Sequence, residues 1–135
     1  SRCIELALTP GDKNIFVASA IPKQVIVMDS RDASVVKYIP LEHRCGSVDI
    51  TKDGKTVYAS TGSPIYGMSM IDTKTLSVTY YTDQISGRIR INSNDKLAIL
   101  TGNQGIKVMN LEDLSVVELS TENSVDADFL LSGSN

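Results

Sequence analysis

Apolar residues in this chain come in short groups, and the groups recur in one order. Leu8-Thr9 leads through a polar turn into Ile15-Phe16-Val17-Ala18. Ile50-Thr51, 42 positions later (50 minus 8), leads through Asp53-Gly54-Lys55 into Val57-Tyr58-Ala59-Ser60. Ile91-Asn92, a further 41 positions on (91 minus 50), leads through Asn94-Asp95-Lys96 into Ala98-Ile99-Leu100-Thr101. Within the groups, Val48/Ile50, Val57/Ala59 and Met68/Met70 alternate with a period of two, the mark of a half-buried strand. The alternation gives way to continuous apolar runs at Val25 to Met28 and Ala98 to Leu100, which suit strands covered on both faces. Val, Ile, Thr and Tyr dominate these segments, and turn signals interrupt them too often for helices.

Each repeat therefore predicts strands joined by turns. The first repeat predicts strands from Glu5 to Thr9, Asn14 to Ser19, Gln24 to Asp29 and Ser34 to Ile39. The second predicts Ser47 to Thr51, Thr56 to Thr61, Gly67 to Asp72 and Leu76 to Thr82, and the third Arg88 to Asn92, Lys96 to Thr101, Gly105 to Asn110 and Leu114 to Ser120. Pro10-Gly11-Asp12, Asp53-Gly54 and Asp72-Thr73-Lys74-Thr75 supply the backbone angles a reversal needs. Self-similarity at this period with short strands is the signature of β-propeller blades. The fold class is thus all-β, a partial β-propeller of four-stranded antiparallel blades. Blade one is expected over residues 1–46, blade two over 47–87 and blade three over 88–126. Residues 127–135 read as the first strand of a further blade, with Leu131 40 positions after Ile91. Because propellers ordinarily close a ring, the expectation is either a stretch of a longer propeller or a part-ring that assembles with other chains.

The repeats resemble β-propeller repeats of the YVTN and WD-repeat kind over almost the whole chain. Val57-Tyr58-Ala59-Ser60 and Phe16-Val17-Ala18-Ser19 look like the second-strand signature, and Ile71-Asp72 and Met28-Asp29 like the end of the third strand. The Trp-Asp pair of WD repeats is missing in every blade, since the chain has no tryptophan. The Gly-His pair has only a distant echo in His43-Arg44-Cys45-Gly46, so the YVTN-like pattern fits better. The resemblance implies architecture far more than activity, because propellers host binding scaffolds and enzymes alike.

Charge and composition narrow the partners. Thirteen Lys and Arg against 16 Asp and Glu leave a net charge of −3 with no basic block, which argues against nucleic acid. Arg88, Arg90, His43 and Arg44 read as solvated or salt-bridged strand ends. No run is long enough for a membrane span. Cys3 and Cys45 lie one repeat apart, and their spacing leaves both a disulfide and a pair of small buried thiols open.

Candidate chemistry is sparse. No nucleophile elbow, P-loop or dinucleotide fingerprint is present, and no cofactor or metal is called for. His43, the only histidine, reads as a structural loop residue between blades. Asn123, Asp126 and Asp128 form a loose oxygen cluster without calcium-loop spacing. Asp49 and Arg90 occupy equivalent positions on successive innermost strands and are expected to approach one another near a central channel, as an ion pair between blades or a channel site. Tyr66, Tyr80 and Tyr81 are candidate anchors for a protein partner, with blade packing as the other reading. The leading functional expectation is a non-enzymatic interaction scaffold that presents Ile21 to Lys23, Ser63 to Tyr66 and Asn103-Gln104 to another protein. The alternative is part of a secreted or surface-associated propeller enzyme or ligand-binding protein whose site lies elsewhere. Further blades of a longer chain, or a second copy, complete the expected partners.

Overall fold

The computed structural model of the chain describes residues 2–11, 13–61, 67–102 and 105–120. The expected strand at 127, the Asn123, Asp126 and Asp128 cluster, the Ser63 to Tyr66 and Asn103-Gln104 loops, and Tyr66 itself lie outside these residues.

The described residues form three antiparallel sheets, each a meander of four consecutive strands. The first comprises β1 (Arg2–Leu8), β2 (Asn14–Ile21), β3 (Gln24–Asp29) and β4 (Val35–Pro40). The second comprises β5 (Ser47–Ile50), β6 (Thr56–Ser60), β7 (Met68–Asp72) and β8 (Val78–Thr82). The third comprises β9 (Arg88–Ile91), β10 (Leu97–Gly102), β11 (Gly105–Asn110) and β12 (Val116–Ser120). These are the strands that the pattern predicts, within a few residues at their ends. The largest departure is at the start: β1 begins at Arg2, and its pairing of Arg2 with Ile21 draws Ile21, expected in a loop, into β2.

Two kinds of turn recur, each built by its own side chains. Between first and second strands, an oxygen from Thr9, Thr51 or Asn92 accepts the N–H of Asn14 at 3.0 Å, Thr56 at 3.1 Å and Leu97 at 2.9 Å. Between third and fourth strands, Asp29, Asp72 and Asn110 begin the turn, and their side-chain Oδ1 accepts the N–H two residues on, each at 2.8 Å. Four residues along, Ala33, Leu76 and Leu114 adopt φ of 59°, 58° and 63°. Short polar side chains favour such turns because they replace main-chain acceptors locally.

The sheets pack face to face in chain order. Phe16, Ala18, Val25 and Val27 of the first meet Val48, Ile50, Val57 and Ile71 of the second. Tyr58 and Met68 of the second meet Ile89, Ile91, Leu100 and Met109 of the third. The middle sheet is therefore covered on both faces, which is why β6 is buried at four successive positions, Val57 to Ser60. The first strands β1, β5 and β9 lie side by side on the inside of the array, and β4, β8 and β12 form its outer rim.

Candidate functional site

Three groups of side chains carry chemistry: a polar layer on the inner strands, a buried histidine junction and the rim.

The polar layer is built from equivalent positions. Glu5 on β1 accepts a hydrogen bond from the Ser47 hydroxyl at 3.2 Å and from the Val48 N–H at 3.4 Å. Ser47 in turn accepts the Ile89 N–H at 3.1 Å. Asp49 accepts the Ile91 N–H at 2.7 Å and, through its other oxygen, the N–H of its neighbour Ile50 at 2.9 Å. The first strands of the first and second sheets thus each hand an oxygen to the main chain of the next. Arg90 is placed on this layer too, but its guanidinium reaches past β5 to Glu5, at 2.8 Å. Arg88 adds a longer ion pair to Glu5 at 3.8 Å, and its Nε is buried without a hydrogen-bond partner among the described residues. The structure therefore sets Asp49 and Arg90 on adjacent inner strands and gives each its own partner. Glu5, the hub, was not singled out by the sequence. Its signal was available, because it lies one repeat before Ser47 and two before Arg88.

The histidine junction lies on the connection from the first sheet to the second and packs against the second. His43 is buried, with Nδ1 2.7 Å from the Arg44 carbonyl and Nε2 2.8 Å from the Ser69 hydroxyl. A carbonyl only accepts, so Nδ1 carries the proton and Nε2 receives the Ser69 hydroxyl. The ring stacks on Tyr81 at a centroid distance of 5.7 Å. Burial pushes the His43 pKa down, which keeps the ring neutral. Gly67 fits against it because a Cβ there would overlap the His43 Cβ and Cγ. Two residues on, the Cys45 thiol is fully buried and free, and burial pushes its pKa up to about 12. Cys45 is thus the small buried thiol that the sequence allowed.

On the rim, large apolar side chains are exposed three to a strand: Val35, Val36 and Tyr38 on β4; Val78, Tyr80 and Tyr81 on β8; Val116, Val117 and Leu119 on β12. Tyr80 and Tyr81 are 37% and 41% exposed, and Tyr38, which the sequence did not single out, is 56% exposed. The rims of the first two sheets are tied together by Lys37, whose ammonium donates to the Leu76 carbonyl at 3.3 Å.

Among the described residues no group of three or more His, Cys, Asp or Glu is placed to hold a metal ion. Nor is any helix among them long and apolar enough to cross a membrane.

No protein-family model matches the chain, and no curated protein does. Solved structures do. Hydrazine synthase of Kuenenia stuttgartiensis superposes with a TM-score of 0.73 at 24% identity, over 84% of this chain and 35% of that one. The WD40 repeats of RRP9 superpose with a TM-score of 0.71 at 18% identity, over 87% of this chain and 40% of theirs. U3-55K gives the same score and identity over 87% and 41%. The chain spans well under half the length of each. With three meandering sheets packed face to face around aligned first strands, these likenesses identify the described residues as three blades of a β-propeller.

Proposed function

We propose that this propeller segment is a protein-binding scaffold whose rim carries the interface. The observation behind it is the rim itself, where each of three equivalent outer strands exposes three large apolar side chains. Exposed apolar patches on rigid folds mark interaction sites, and tyrosine offers a large contact area with a polar tip. The reactive groups nearby are committed to the fold. His43 is bonded through both ring nitrogens, and Cys45 stays protonated at neutral pH, so neither is poised as a base or a nucleophile. The WD40 repeats among the similar structures share the architecture, which is compatible with binding and does not name the partner.

The test is substitution on the rim. Tyr38→Asp with Tyr80→Asp should abolish recovery of the partner that the unaltered chain retains from its native source, with the fold kept. Undiminished recovery by the substituted chain would refute the rim as the interface.

A further inference from the structure

The first and second sheets meet at their inner ends and part toward the rim. β1 and β2 approach β5 closely, while the outer strands β4 and β8 are not among the strands in close approach. A wedge therefore opens between these two rims, and strand pairing decides which side chains face into it. Cross-strand partners share one face of a sheet. On β4, Lys37 pairs with Val27, which belongs to the core shared with the second sheet. On β8, Val78 pairs with Ile71, which belongs to the same core, and Tyr81 pairs with Ser69, two residues from Ile71. Lys37 thus lines one wall and Val78 and Tyr81 line the other, and all three are exposed. Tyr38 follows Lys37 and takes the opposite face of β4. Tyr80 pairs with Met70, which packs toward the third sheet, so it also faces away from this wedge.

The two walls differ in chemistry. The Lys37 ammonium donates to the Leu76 carbonyl at 3.3 Å, and none of the ion pairs among the described residues includes it. Its charge therefore meets the wedge without a carboxylate paired to it among those residues. The facing wall is apolar apart from the Tyr81 hydroxyl, and the stacked His43 ring braces Tyr81 there. The gap between the second and third sheets is different. Its third-sheet wall sets Lys107 directly opposite Glu118 on neighbouring strands, so charges of both signs lie side by side. The chain as a whole carries a net charge of −3, so an acidic ligand is drawn to the first wedge by local charge and not by the total.

We propose that this wedge binds an extended acidic segment of a protein partner, in which carboxylates alternate with large aliphatic side chains. Side chains of an extended segment point alternately to opposite sides. Between these walls, one set meets Lys37 and the other meets Val78 and Tyr81. Docking here rests on the rim being the interface, and it adds which part of the rim and what chemistry of partner.

The experiment is a titration of the chain into a fluorescently labelled peptide of about eight residues, alternating glutamate with leucine and blocked at both ends, read by anisotropy. Saturable binding is expected, about tenfold or more tighter than for the counterpart with lysine in place of glutamate. Lys37→Glu should reverse this preference, and Val78→Asp should abolish binding of the acidic peptide. Lys13→Glu makes the same change of net charge in the turn between β1 and β2 and should leave the affinity unchanged. All three positions are exposed, so circular dichroism should show unchanged strand content in each variant. No saturable binding, equal affinity for the lysine peptide, equal effects of Lys37→Glu and Lys13→Glu, or binding that survives Val78→Asp would overturn the proposal. Such a failure beside lost partner recovery in the Tyr38→Asp, Tyr80→Asp chain would remove the wedge and leave the rim interface standing, since both tyrosines face away from the wedge. The expected peptide binding beside undiminished partner recovery would do the reverse.

Discussion

Arg90 on β9 donates a 2.8 Å hydrogen bond to Glu5 on β1, 85 residues earlier in the chain, with β5 lying between them. Neither side chain is fully exposed, at 20% for Glu5 and 28% for Arg90, so solvent screens the pair only in part. Glu5 also receives Ser47 and Val48. Glu5→Ala should therefore cost about 1–3 kcal/mol of stability, because three donors lose their acceptor. Arg90→Ala should cost less, since Glu5 keeps the other two. A double-mutant cycle by denaturant unfolding should give a coupling of about 0.5–3 kcal/mol, and a coupling near zero would mean that the pair contributes nothing.

His43 makes stability depend on pH near neutrality. Burial lowers its folded pKa below the ordinary histidine value, with Lys23 acting in the same direction and Glu42 against it. Between the folded and unfolded pKa values the unfolded chain binds more protons, so stability falls as pH drops below about 6.5. His43→Gln should flatten this slope between about pH 5 and 7, read as denaturation midpoints across pH. An unchanged slope would show that another group sets it.

The acid limb belongs to the turns. The Arg31 guanidinium and N–H hold Asp29 down to about 2, and main-chain N–H groups lower Asp72. Their contribution is present above the unfolded aspartate pKa of about 3.9 and is lost as pH falls through the folded values. Asp29→Asn should thus lower stability at pH 7 and make its loss below about pH 4 less steep, the two chains converging in acid. An acid limb identical to that of the unaltered chain would contradict the assignment.

Gly67→Ala should be among the costliest small substitutions in the chain. Its Cβ would overlap the base of the His43 side chain, which is held at its ring edge by Ser69 and on one face by Tyr81. The expected loss is about 1–3 kcal/mol, as for overpacking elsewhere. A Gly67→Ala step that costs less in a His43→Gly background, where the opposing Cβ is gone, would locate the clash, and no loss at all from Gly67→Ala alone would refute it.

The turn residues at positive φ separate strain from packing. Ala33 is exposed and Leu76 packs partly against the core, yet both sit at φ near 60°. Ala33→Gly should be neutral or stabilising by up to about 1 kcal/mol, because glycine adopts this conformation without steric cost. Leu76→Gly should destabilise, because the lost burial outweighs the relief. Thermal midpoints that move together would rule out this division.

The strands were legible because each repeat restates the same alternation, bounded by Asp, Asn and Gly at fixed offsets. The sheet count followed from the spacing of Leu8, Ile50 and Ile91. What the sequence hid was direction across sheets. Asp49 and Arg90 share a repeat position, but repeat position does not say how far a side chain reaches, and Arg90 is long enough to pass β5. Glu5 looked like an ordinary strand start. Its role emerges only when β1, β5 and β9 are brought side by side. Tyr38 was passed over because it sits in a repeat read as a plain outer strand, and only the packing of β4 at the rim exposes it.

The central claim is that the inner strands hold the blades together while the outer strands meet a partner. The most direct measurement is site-specific photocross-linking in extract from the native source, with a benzophenone amino acid at Tyr38, Tyr80 or Val117 and, as controls, at exposed Arg31 or Glu112 in the turns. The account predicts adducts of one discrete mass at rim positions, suppressed by excess unlabelled chain. Equal adducts at the turn controls, or none at the rim, would contradict it.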